Sequence, residues 1–143
     1  MSGSINIPGV IFQPEKYPQL LTEKASKVAQ MIEAFGAPKP DIFASPTLHA
    51  RMRAEFRLWH PKPPSSGGAF YAMFEKNNKF DPIKIEQFPI ASQCIAEVMQ
   101  PLLDVINQSP PLLDKLFQIE FLSSSIDQLV ITLIYHKPLN ADS

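Results

Sequence analysis

The sequence predicts an α+β domain: an antiparallel sheet of about five strands with two main helices packed on one face. Three observations carry this. The apolar pattern runs helix, three strands, helix, two strands, with no βαβ alternation and no internal repeat. Residues Arg51 to His60 alternate apolar and polar side chains without a break, as a strand with one buried and one open face does. Fifteen prolines in 143 residues predict short elements separated by stiff turns.

Residues 1–16 hold Gly3, Pro8, Gly9 and Pro14 among Ile5, Ile7, Val10, Ile11 and Phe12. That mixture argues against a long regular element, and an arm lying on the domain of residues 17–143 is expected. From Tyr17 the period changes: Leu21, Ala25, Val28, Ile32 and Phe35 recur at helical steps, Gly36 can cap the end, and Pro38 and Pro40 forbid continuation. Asp41 to Ala50 reads as a connection.

In the strand Arg51 to His60, Met52, Ala54, Phe56 and Leu58 seek a core, while Arg51, Arg53, Glu55, Arg57 and Trp59 share the other face. Pro61 to Gly68, with three prolines and two glycines, is a hairpin loop. Ala69 to Phe74 resumes the alternation, Asn77-Asn78 suits a turn, and Asp81 to Phe88 offers a third strand, completing a meander. A second helix is expected from Pro89 to about Asn107, with Cys94, Val98, Leu102, Val105 and Ile106 as its apolar stripe; Pro101 must kink or split it. Ser109-Pro110-Pro111 ends that element. Leu116 to Leu122 and Gln128 to His136 are rich in Ile, Leu, Phe and Val and should pair as an antiparallel hairpin.

The composition excludes several functions. A formal net charge of −1 rules out a globally basic surface, so any basic site must be local. Between Arg51 and Lys62 stand four cations against one carboxylate. One cysteine, Cys94, permits no intrachain disulfide and fits a reducing compartment. On an apolar helix stripe it reads as a structural thiol rather than a nucleophile. No leader-like or membrane-spanning stretch is visible, so a soluble, cytoplasmic chain is expected. There is no Gly-rich phosphate loop, no metal motif, and His49, His60 and His136 lack metal-like spacing. No catalytic, cofactor-binding or metal-binding residue is predicted.

The polar face of the strand at Arg51 to Trp59 is the remaining functional surface. It is either a solvated face in which Glu55 pairs with its neighbouring arginines, or a platform for phosphates and bases. Trp59 favours the second, because aromatic and guanidinium groups together stack and pair with nucleotides. Phe117 alternates with Ile119 and Phe121 and reads as core; His136 ends the last strand and is undecided.

Ser45-Pro46 followed by the run Arg51 to His60 resembles the N-terminal part of bacterial tRNA (uracil-5-)-methyltransferases, which form 5-methyluridine in the T loop. The run Asp114 to Leu122 resembles that family's Lys-Leu-Phe-Gln-Ile segment, Leu133 to Lys137 its Leu-Tyr-His-Lys segment, and Phe88-Pro89 also matches. The resemblance implies an RNA-binding domain that docks the tRNA T arm. Its tRNA-contacting arginine falls on Arg57, with Glu55 beside it on the same face; Arg51, Arg53 and Trp59 join the expected RNA-binding residues from the strand face itself. Phe117 and His136 would hold the refolded loop. It also implies a separate methyltransferase domain using S-adenosylmethionine. The family's catalytic cysteine and cofactor loop have no counterpart in this chain, and the Pro61 to Gly68 loop is longer than the family pattern. Two alternatives accompany this expectation: an interaction module whose Arg/Trp face meets an acidic partner, and a remnant of marginal stability.

Overall fold

A computed structural model describes residues 5–7, 10–62 and 67–140. The chain divides into two compact units, Met1–Thr47 and Leu48–Ser143, so the first helix and the residues expected as an arm belong to the same unit.

In the first unit, β1 (Ile5–Ile7) and β2 (Val10–Phe12) pair antiparallel, and one turn of 3-10 helix follows at Pro14–Lys16. The helix α1 (Tyr17–Glu33) tolerates Pro18 in its first turn, where no intrahelical donor is needed. Gly36 sits at φ 72° and its N–H bonds Glu33 O at 2.9 Å, while Ala37 N–H bonds Ile32 O, the helix stop that the sequence predicts. Tyr17 ties the connection back: Ser45 N–H donates to its hydroxyl at 2.8 Å. Of the expected stripe, Leu21, Ala25 and Ile32 are half-buried, whereas Val28 and Phe35 are exposed.

In the second unit a five-stranded antiparallel sheet runs in the order β5-β4-β3-β6-β7, formed by β3 (Arg53–Trp59), β4 (Phe70–Glu75), β5 (Asn78–Lys84), β6 (Leu116–Ser123) and β7 (Leu129–Tyr135). The strand from which the functional reading starts is therefore central. The meander β3-β4-β5 and the hairpin β6-β7 both form as expected. Ala54, Phe56 and Leu58 are buried while Arg53, Glu55 and Arg57 are exposed, so the alternation is realised on β3. Of the expected hairpin loop, residues 63–66 lie outside the described residues; beyond them Asn107 grips the backbone of Ala69 through both its side-chain amide atoms.

The helix α2 (Gln93–Gln108) covers the core face. It buries Ile95, Met99, Leu103 and Ile106, and the Tyr71 hydroxyl donates to Met99 O at 2.7 Å. Phe56 lies at the centre of an aromatic cluster, its ring 5.4 Å from Tyr71, 5.2 Å from Phe88 and 6.3 Å from Phe121. Ser92 and Ser123, both buried, satisfy each other at 2.6 Å.

Four expectations are corrected, and the choice left open at Pro101 is settled. β3 starts at Arg53, because Arg51 bridges Ala91 instead and Met52 is 42% exposed. The helix starts at Gln93 rather than Pro89, because residues 89–92 bond the chain entering β3: His49 N–H to Pro89 O, Arg51 N–H to Ile90 O, Ser92 N–H to Arg51 O. Its buried stripe is turned by one residue from the predicted one; Cys94, Val98 and Leu102 flank it and Val105 is exposed. Two adjacent apolar rows are available on α2, and packing against the sheet selects between them. The helix runs through Pro101 without splitting, and the break comes at Ser109, before the short α3 (Pro110–Leu113). The third strand also begins at Asn78, with the turn at Lys76 and Asn77.

Candidate nucleic-acid interface

The face of the sheet opposite α2 collects the odd residues of β3. Register places Arg57 beside Gln118 of β6 and Ala72 of β4, and Glu55 beside Glu120. Strict alternation along β6 would bury Phe117 with Ile119 and Phe121. A register shift between Leu116 and Gln118 breaks it. This extra residue lets Leu116 turn inward, fully buried, while Phe117 emerges half-buried on the same face as Arg57. The core reading of Phe117 is thus corrected by a bulge that periodicity does not encode.

The bulge is held from several sides. His60 Nε2–H donates to Leu116 O at 2.7 Å. Lys115, at φ 59°, precedes it, and His136 N–H donates to Lys115 O at 2.9 Å. Lys137 pairs with Asp114 at 3.2 Å, and the Tyr135 hydroxyl donates to Leu112 O at 2.6 Å. Burial, with Lys137 opposing it, pushes the Tyr135 hydroxyl pKa above its ordinary value.

These contacts bring Phe117 and His136 into a parallel stack, ring centroids 3.7 Å apart and planes 20° from coincident. The Arg57 guanidinium lies 3.9 Å from the Phe117 centroid and 5.6 Å from that of Phe74, whose ring meets Trp59 edge-on at 5.8 Å. Side chains of β4, β3, β6 and the end of β7 thereby form one row of planar groups. Beside it runs a groove of about 440 Å³ lined by Arg57, Trp59, His60, Lys62, Lys115, Phe117 and His136, among others. Among the described residues, Arg57 belongs to none of the ion pairs, so its guanidinium edge keeps its donors.

Arg51, Arg53 and Glu55 do not join this row. Arg53 pairs with Glu55 at 3.6 Å, well exposed on both sides, a contact of small energetic weight. All three line a second groove of about 390 Å³ floored by Ala54, Phe56, Met73 and Phe88. The sequence-predicted residues therefore fall into two groups, with Arg57, Trp59, Phe117 and His136 in one and Arg51, Arg53 and Glu55 in the other. Phe74, His60, Lys62 and Lys115 were not anticipated as site residues. The parity of Phe70, Ala72 and Phe74 could have placed Phe74 on this face once the β3-β4 register was known; Lys62 belongs to the local run of cations that begins at Arg51, and nothing in the sequence marks His60 or Lys115.

An aromatic and cationic groove on the open face of an antiparallel α+β sheet defines a class of surface suited to polyanions with flat substituents. A family model described as tRNA (Uracil-5-)-methyltransferase matches residues 16–143. The chain belongs to this family. It is 44% identical over 126 residues to a tRNA/tmRNA (uracil-C(5))-methyltransferase of Actinobacillus succinogenes, covering 87% of this chain and 34% of that protein. Proteins of the same description from Pseudomonas aeruginosa strain UCBPP-PA14 and Marinomonas sp. are 46% identical over 129 residues and 40% over 130, covering 90% and 91% of this chain and 35% and 34% of theirs. The chain spans about a third of the length of these relatives. Among the described residues no helix is long and apolar enough to cross a membrane, and no group of His, Cys, Asp or Glu is arranged to hold a metal ion.

Proposed function

We propose that this chain is the substrate-docking part of a tRNA (uracil-5-)-methyltransferase, acting in the cytoplasm, and that its partner is the T arm of tRNA. The observation that carries the reading is the Phe117–His136 stack with Arg57 laid on it, inside a groove whose charged lining is cationic. Unstacked loop bases meet the aromatic end, and phosphates meet Arg57, Lys62 and Lys115. Arg51 and Arg53, at the far end of β3, take phosphates further along the same RNA; Arg53 must exchange Glu55 for them.

The methyl transfer named for the relatives is not performed by the groove itself. Cys94, the sole thiol, lies on α2 against the other face of the sheet, its Sγ 3.5 Å from Ser92 Oγ. S-adenosylmethionine, implied for the whole family enzyme, would find cations for its carboxylate in this groove but no carboxylate for its sulfonium and ammonium charges, so the lining matches an RNA polyanion better. The groove's task is to bind and orient RNA for methylation at uridine C5 by a catalytic part of the enzyme that lies beyond these residues.

A filter-binding titration tests this with a T-arm hairpin and a scrambled RNA of the same length over a range of salt concentrations. The T arm should bind more tightly, and Arg57→Ala should weaken it by about tenfold and shallow the salt dependence by roughly one unit. Equal affinity for both RNAs, or competition by polyglutamate as effective as that by RNA, would replace this reading with an acidic protein partner.

A further inference from the structure

The two edges of the five-stranded sheet are built differently. β5, at one edge, carries Lys79, Asp81, Pro82 and Lys84, the charges and the missing donor that keep a strand edge from pairing. β7, at the other, reads Leu-Val-Ile-Thr-Leu-Ile-Tyr, without a charge, a proline or a glycine. It is also less covered than its neighbour. Leu116, Ile119 and Phe121 of β6 are buried, whereas Leu129, Ile131 and Leu133 on the inner side of β7 are only half-buried, and Val130 on the open face is 60% exposed. Ser124 N–H donates to Gln128 O and His136 N–H to Lys115 O, so the even-numbered residues between Gln128 and His136 bond β6. The N–H and C=O groups of Leu129, Ile131, Leu133 and Tyr135 therefore point outward, and no strand of the described residues lies beyond them.

We propose that this edge pairs with a second copy of the chain, β7 against β7 in antiparallel register about a two-fold axis at Thr132. The sequence around Thr132 is self-complementary. Ile131 stands opposite the partner's Leu133 and Leu129 opposite the partner's Tyr135, which joins the outward-pointing groups in hydrogen-bonded pairs. Thr132 meets the partner's Thr132 at the axis, and Val130 meets the partner's Ile134. Two residues beyond each end of the strand, Asp127 stands opposite the partner's Lys137, twice over by symmetry. Asp127 belongs to none of the ion pairs among the described residues, and Lys137, 3.2 Å from Asp114, has donors left for a second carboxylate. A slip of two residues either way, the smallest that keeps the outward groups paired, sets Lys137 against the partner's Ser125 or the partner's Leu129 and loses both ion pairs. Charge complementarity thus favours this occupant and this register together. The axis is perpendicular to the sheet, so both copies keep their aromatic and cationic grooves on the same side, and the pairing itself needs no RNA.

Sedimentation equilibrium of the full chain, from micromolar to millimolar concentration and without RNA, tests this. The wild-type chain should show a reversible monomer–dimer equilibrium. Thr132→Lys, at an exposed position, sets two like charges against each other at the axis; it should weaken the dimer by about tenfold or more and leave the far-UV circular dichroism unchanged. Asp127→Lys and Lys137→Asp should each weaken self-association by about fivefold, as loss of two exposed ion pairs does. An equimolar mixture of these two variants should associate more tightly than either alone, because unlike charges again stand opposite each other at both ends. A variant weakened only by poor folding does not recover on mixing. A monomer at every concentration would overturn the proposal and leave the edge to a strand from the part of the enzyme beyond these residues. A dimer that Thr132→Lys leaves intact would overturn it by placing the interface elsewhere, and charge variants that fail to recover on mixing would overturn the register.

Discussion

Lys115 is held at φ 59°, a left-handed conformation that suits glycine, and it lines the groove beside Phe117. For an L-residue this conformation costs about 1–2 kcal/mol, while a glycine there loses about 0.5–1 kcal/mol more backbone entropy on folding. Lys115→Gly should therefore stabilise the unit that contains the sheet by about 0.5–1 kcal/mol. Because about 1 kcal/mol moves Tm by 4–8 °C in a domain of this size, scanning calorimetry should show a rise of roughly 2–8 °C. The same substitution removes one cation from the groove, so RNA affinity should fall and the slope of log K against log salt should shrink by about 0.7–0.9. Asp127, at φ 60° in the turn between β6 and β7, is outside the groove lining and provides the control. Asp127→Gly should give a smaller gain in Tm, since aspartate tolerates this conformation better, and leave RNA binding unchanged. A Tm that falls for Lys115→Gly would refute the strain argument, and an unchanged salt slope would refute the placement of Lys115 on RNA.

Further outcomes follow from the packing. Burial, reinforced by the Asp104 carboxylate, holds the Tyr71 hydroxyl well above its ordinary pKa of 10.0, so the unfolded chain loses this proton first as pH rises. The stability tied to Tyr71 is therefore present below about pH 10 and lost above it; Tyr71→Phe should cost about 1 kcal/mol at neutral pH and flatten the alkaline decline in Tm. Phe56→Ala, at the centre of the aromatic cluster, should destabilise by about 3–5 kcal/mol in urea unfolding, whereas Val105→Ala on the exposed side of α2 should change little. His60→Ala removes the donor to Leu116 O and should loosen the bulge: a stability loss of about 1 kcal/mol accompanied by weaker T-arm binding would agree, and unchanged binding would show that the bulge holds without it.

The local chemistry of the chain accounts for much of this architecture. Strict alternation from Arg53 to Trp59 determines which side chains of β3 are buried, because side chains of a strand point to opposite faces whatever its partners are. The glycine at position 36 and the prolines after it stop α1, and the apolar runs after Lys115 pair as a hairpin; both rest on interactions short in sequence. The family resemblance is likewise carried by linear segments, and it pointed to Arg57, Phe117 and His136 before any geometry was available.

Other features depended on contacts distant along the chain. α2 has two apolar rows one residue apart, and the sheet selects the row through Ile95, Met99, Leu103 and Ile106. Its first turn is delayed to Gln93 because residues 89–92 bond the backbone around Arg51, some forty positions earlier. The site is the clearest case. Phe117 has the periodicity of a core residue, and only the bulge, held by His60 from just beyond the end of the neighbouring strand β3, turns it outward to meet His136 and Arg57. Residue types and local periodicity determined the strands and their faces; the tertiary structure decided which of those faces combine into a groove, because register and bulges are set by partners that are remote in sequence.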